Sequence, residues 1–149
     1  MLEYGWSLDP APWINFDKFT NLDDGYVLNW KIKPFDKFYK DSIPEKPGVY
    51  MICVKPPSNP NFPKNFYTPI YIGRASESIR SRFLYHLGSS AMPKVKKARI
   101  LFSKDPDQIM FHFTKCLPED VPTLESILID CFGPTSNDAR GIKLDEKYE

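Results

Sequence analysis

Residues 71–87 read YIGRASESIRSRFLYHL and set Arg74, Arg80, Arg82 and His86 close together across an apolar run, a glycine and a helical pattern. A guanidinium is a planar fork of donors suited to clamping a phosphate, and an imidazole can bind phosphate or pass a proton near neutral pH. From Arg74 to Arg99 seven Lys or Arg stand against one acid, whereas residues 116–149 hold eight acids against three bases. A middle segment of charge +6 is what a polyanion-binding surface needs, because phosphate neutralisation releases counterions. Further on, Glu125 in LESILI offers a hard carboxylate oxygen of the kind that takes Mg²⁺ or Mn²⁺. Taken singly, each residue has a plainer reading. Tyr50 and Tyr71 fit strand packing, Arg82 and Glu125 a solvated helix face, His86 a capping or surface histidine, and Asn137 a turn.

The elements that must position these groups follow from periodicity. Tyr26, Leu28, Trp30 and Ile32 alternate with polar or smaller residues as in a half-buried strand. IPEKPG (43–48) reads as a turn into the apolar strand GVYMICV (48–54), and KPPSNPNFPKNF (55–66) as a long proline-rich loop. YTPIYIG (67–73) is a further strand, with Pro69 admissible only at an edge or near the strand's start. Ser76 can cap a helix from Glu77 to Leu87, whose Ile79, Phe83 and Leu87 form one apolar stripe. Arg82 and His86, four apart, lie side by side at its margin, and Arg80 points away from Arg82. Residues 91–103 are open between helix and strand. IMFHFTKC (109–116) alternates as a strand, and VPTLESILIDCFGP (121–134) carries helical spacing with Asp120 as cap and Gly133-Pro134 as stop. Glu125 falls beside that helix's apolar stripe. His112 lies on the 109–116 strand and matches no motif.

The expected fold class is therefore α+β, a small three-stranded antiparallel sheet flanked by helices and preceded by an aromatic-rich extension holding all three tryptophans. A chain of 149 residues is long enough for one domain that buries about 70% of its unfolded surface. We divide it into an extension, residues 1–45, which packs on the core or serves recognition or an interface, and a domain over 46–149. Cys53, Cys116 and Cys131 are odd in number and widely spaced, which suggests three reduced thiols rather than disulfides or a zinc site. No run of about 18 apolar residues is present to span a bilayer, and MLEYGWSLDP has none of the features of a signal peptide. The expectation is a cytoplasmic, non-secreted protein with no membrane association, nucleoid-associated if prokaryotic.

In order along the chain, GVY at 48–50, YIG at 71–73, Arg82 followed by His86, Glu125 in LESILI and Asn137 in GPTSND resemble the signature of the GIY-YIG nuclease superfamily. Each triplet is common by itself. Their joint occurrence over residues 43–140 carries the resemblance, which implies that the two triplets lie on neighbouring strands of a small antiparallel sheet.

The resemblance implies a metal-dependent endonuclease hydrolysing DNA phosphodiester bonds. Tyr50 would be the general base or its relay, its phenol needing nearby cations to act near neutrality. Arg82 would clamp the phosphate, Tyr71 would hold the water or Tyr50, and His86 would pass a proton or bind phosphate. Glu125 would ligate a single Mg²⁺ or Mn²⁺. Arg74, Arg80, Asn137 and Gly73 would serve substrate binding, Gly73 by letting backbone approach closely. DNA is the implied partner, with a homodimer if both strands are cut. A non-catalytic nucleic-acid-binding module is the alternative. This chain departs from the family's excision-repair members in three ways: twenty residues separate Tyr50 from Tyr71, Arg74 replaces a lysine, and His86 replaces a tyrosine.

Overall fold

The computed structural model describes residues 26, 28–55, 67–102 and 108–132. Asn137, the 133–134 helix stop and most of the proline-rich loop lie outside these residues. Strand β1 (Lys31–Pro34) is followed by a 3₁₀ turn (Lys37–Ser42), β2 (Gly48–Val54) and β3 (Thr68–Ala75). Helices α1 (Ile79–Leu87) and α2 (Pro93–Leu101) precede β4 (Ile109–Lys115), and α3 (Val121–Phe132) closes the described chain. The architecture is α+β, with an antiparallel sheet in the order β1-β4-β2-β3.

The sheet has four strands rather than the expected three. The additional one comes from the aromatic extension: Lys31–Pro34 pairs with Phe113–Met110 of β4. The expected strand across residues 26–32 starts later than its alternation suggested. Asn29 gives its backbone N–H to Thr114 Oγ1 rather than to a ladder carbonyl, while Tyr26, Leu28 and Trp30 pack onto the α3 cluster. Alternation thus marked which side chains turn inward, but the hydrogen-bonding ladder begins only at Lys31.

Both faces of the sheet are covered, so β2 reads as a nearly unbroken apolar run instead of alternating with polar residues. On one face Tyr50, Ile52, Val54 and Tyr71 join Phe83 of α1, Val95 of α2 and Phe111 of β4. On the other, Val49 and Ile72 pack against Val121, Leu124, Leu128 and Ile129 of α3. Pro69 sits on the edge strand β3, next to an irregularity where Ile52 pairs with Tyr71 but Cys53 with Pro69. There its missing N–H costs no ladder bond in the sheet interior.

Helix α1 begins two residues later than expected. Its cap is Ser78, not Ser76, accepting from Ser81 N at 3.2 Å. The N–H groups of Ile79 and Arg80 go to the carbonyls of Lys46 and Pro44, so the 43–48 turn satisfies donors that a helix start leaves open. The 91–103 stretch resolves as a helix with Pro93 at its start, a position where the missing N–H would be unpaired in any case. Cys53, Cys116 and Cys131 are free thiols. Among the described residues no helix is long and apolar enough to cross a membrane.

Candidate active site

Tyr50 and Gly73 are opposite one another on β2 and β3. A Cβ built on Gly73 would overlap Tyr50 Oη and Cζ, so the phenol ring lies flat across the glycine, and any larger residue would displace it. Phe111 backs the ring from β4, stacked at 5.2 Å. Between them these two contacts fix where the hydroxyl points.

That hydroxyl meets α1. Tyr50 Oη lies 2.8 Å from His86 Nε2, and Arg82 Nε donates to it at 3.4 Å. The i, i+4 spacing on α1 puts both helix residues on the same phenol. Arg82 also stacks its guanidinium over the Tyr85 ring at 4.4 Å, which holds it beside the hydroxyl. The Tyr71 ring packs 4.9 Å from His86 and 6.3 Å from Tyr50. Tyr50, Tyr71, Arg82 and His86 are thus brought together, with the two tyrosines and the histidine essentially closed to solvent.

Burial, then the positive charges of Arg82 and Arg99, push the His86 imidazole down to about 3. It is therefore neutral near pH 7. Its Nδ1 is shielded from solvent without a hydrogen-bond partner, and an unmet lone pair costs less than an orphan N–H, so the proton belongs on Nε2 and the Tyr50 oxygen accepts from both His86 and Arg82. His86 serves the phenol oxygen as a hydrogen-bond donor that, with Arg82, orients it.

Glu125 and Arg74 lie across the sheet. Glu125 is only 8% exposed, unlike a solvated helix residue, and its Oε1 is 3.7 Å from Arg74 Nη1. Arg74 pairs with Val49 and follows Ile72 by two residues, so it shares the α3 face while Tyr50 shares the α1 face. The edge strand β3 therefore carries two half-sites back to back at its Gly73–Arg74 end. Arg80 belongs to neither. Its Nε donates to Ile43 O at 2.8 Å and its Nη1 bridges Glu45 at 2.8 Å, so it ties α1 to the 43–48 turn.

For a divalent cation, the donor set is a single carboxylate. Among the described residues no three His, Cys, Asp or Glu side chains gather to hold an ion by themselves. Glu125 suits the binding habit of Mg²⁺, which keeps several waters and takes one or two carboxylates together with substrate phosphate. Its ion pair with Arg74 fits an ion that arrives with the substrate.

Two contributors were not singled out by sequence reasoning. Arg99 of α2 donates to the carbonyls of His86 at 2.9 Å and Gly88 at 3.0 Å, closing the end of α1. In the sequence it was only one member of the basic segment, since a contact between side chain and backbone thirteen residues apart leaves no periodic trace. Phe111 looked like a strand residue, and its stacking on Tyr50 depends on the β2–β4 register. Comparison with protein-family models, with curated proteins and with solved structures gave no match.

Proposed function

We propose that this protein is an endonuclease that hydrolyses DNA phosphodiester bonds with a divalent cation. The observation that carries the reading is the convergence of Tyr50, His86 and Arg82 at 2.8 and 3.4 Å on a strand pair whose reverse face presents Glu125. In the Tyr50 cluster, Arg82 is the group with a reason to move: its bond to Tyr50 is long, and a phosphate offers it a bidentate partner. When Arg82 turns to the phosphate, the Tyr50 oxygen, as the phenolate, is freed to take the proton of an attacking water and so return to the phenol. His86 fixes the orientation of that oxygen, and Tyr71 packs the imidazole in place. Arg74 adds positive charge on the Glu125 side, where it holds the carboxylate in position until substrate arrives. A bound Mg²⁺ or Mn²⁺ would supply charge neutralisation at the phosphate and at the departing oxygen.

A second reading rests on a specific observation. Tyr50 is fully buried and Glu125 is already paired with Arg74, as suits a nucleic-acid-binding module whose polar cluster serves the fold. Incubation of the full chain with supercoiled plasmid and Mg²⁺ or Mn²⁺ separates the two. The nuclease reading expects metal-dependent conversion to nicked or linear DNA that EDTA abolishes. Retention of plasmid in a gel-shift assay, with no conversion across divalent ions and DNA structures, supports the module instead.

A further inference from the structure

On the α3 face, away from Tyr50, a cleft of about 480 Å³ is bounded by Ile32, Met51, Cys53, Tyr67, His112 and Phe132, with Pro69 beside Tyr67. This volume falls in the ordinary range for small-molecule sites. Ile32, His112 and Met51 form one row across β1, β4 and β2, which places the imidazole at the centre of the floor between two apolar neighbours. His112 is 9% exposed, and its Nδ1 is shielded from solvent without a hydrogen-bond partner. Its ring meets the Tyr67 ring edge-on at 5.1 Å.

A buried polar ring with an unfilled valence calls for an explanation, since such groups are nearly always paired. Leaving a lone pair unmet costs less than burying an orphan N–H, so the proton belongs on Nε2, and the ring edge away from Nδ1 is a donor. Burial holds the imidazole neutral, down at about 4, and raises the Cys53 thiol so that it stays protonated. The floor is therefore a neutral donor set among apolar and aromatic walls. At the rim, Lys55 Nζ stands 5.9 Å over the Tyr67 ring and brings a positive charge to the margin. Together these features suit a planar, neutral heterocycle with hydrogen-bond acceptors on its edge and a phosphate attached to it.

We propose that this cleft is a nucleobase-binding site that receives an unpaired base of the substrate strand, stacked on Tyr67 and hydrogen-bonded to His112. The proposal rests on the nuclease reading for its place in catalysis, but the binding itself does not need cleavage. Seven residues of α3 separate Glu125 from Phe132, about 10 Å at the helical rise. At roughly 3.4 Å per nucleotide the cleft would hold a base about three nucleotides from the phosphate at Glu125. A base within a duplex must be extruded to reach it, so single-stranded or distorted DNA is the favoured substrate, and base identity at that position is read.

The test is titration of the full chain, isotope-labelled at histidine, with dAMP, dGMP, dCMP and TMP without divalent cation, following the His112 and His86 ring resonances separately. A saturable shift of His112, stronger for some bases than others, is expected. Tyr67→Ala should weaken it about tenfold or more, as expected for loss of a base–aromatic stack, and Tyr67→Phe should restore it. Glu45→Ala should bind like the parent, because Glu45 does not line the cleft. Nucleotide binding at His112 with no plasmid cleavage would sink the nuclease reading and leave this site standing. No saturable shift at His112 with any of the four nucleotides, or an equal shift in Tyr67→Ala, would overturn the site whatever the cleavage result.

Discussion

The two described histidines lie on opposite faces of one sheet, and their surroundings differ more than their burial does. His86 hydrogen-bonds Tyr50, is packed by the Tyr71 and Tyr85 rings, and has its carbonyl held by Arg99. His112 has an aromatic edge contact, and in both rings Nδ1 is shielded from solvent without a partner. Both rings are held neutral by burial. Burial and a lowered titration point are thus not enough to mark a reactive histidine. What separates the faces is that His86 Nε2 meets the Tyr50 hydroxyl inside a packed cluster, while the His112 ring borders a cleft.

The largest effect that would sharpen this contrast is acid destabilisation. Histidine in the unfolded chain titrates near 6.5, whereas folded His86 titrates at about 3 and His112 at about 4. Between those values and 6.5 the unfolded state binds more protons, so stability is full above pH 6.5 and is lost as the pH falls. At about 1.4 kcal/mol per pH unit, His86 alone accounts for a loss of about 5 kcal/mol by pH 3. Denaturant midpoints measured from pH 7 downward should fall steeply, and His86→Gln should remove more of that slope than His112→Gln. Equal slopes for parent and both variants would break the comparison.

Gly73→Ala comes next. Its Cβ would overlap the Tyr50 ring, which Phe111 prevents from retreating, so we expect a loss of about 2–3 kcal/mol in chemical denaturation. Arg99→Gln removes two charged hydrogen bonds to backbone carbonyls and should cost about 1–2 kcal/mol. It also removes a positive charge beside His86, so the His86 ring titration followed by NMR should move to higher pH while that of His112 stays in place. The smallest effect is expected from Glu45→Ala. The Arg80–Glu45 pair is exposed on the Glu45 side, and its loss should cost below about 1 kcal/mol.

Much of the α1 face was legible from the sequence because its contacts follow local rules. The stripe Ile79, Phe83, Leu87 fixed the helix, and the Arg82–His86 spacing placed both side chains on one side of it. The apolar runs at 48–54 and 67–73 announced paired strands, whereas the space at Gly73, expected to admit backbone, is filled by the Tyr50 ring. What stayed hidden depended on long-range register. The fourth strand needed Lys31–Pro34 to find β4, nearly eighty residues away. The Arg74–Glu125 pair needed β3 and α3 to meet, and the two-faced division of the site needed knowledge of which side of β3 each helix covers. His112 read as an ordinary strand residue because alternation says only that a side chain faces inward. Whether a partner waits there is decided by the neighbouring strands.

The central claim is that the Tyr50 oxygen, held between His86 and Arg82, takes the proton from the attacking water as the phenolate. Tyr50→Phe tests it most directly, since it deletes one oxygen and leaves the ring that packs on Gly73 and Phe111. Cleavage of plasmid DNA under single-turnover conditions should be measured beside DNA affinity and thermal unfolding of the same preparation. The account predicts a fall in cleavage rate of about a hundredfold or more, with DNA affinity unchanged and the fold retained. A Tyr50→Phe protein that remains folded and cuts at the parent rate would contradict it.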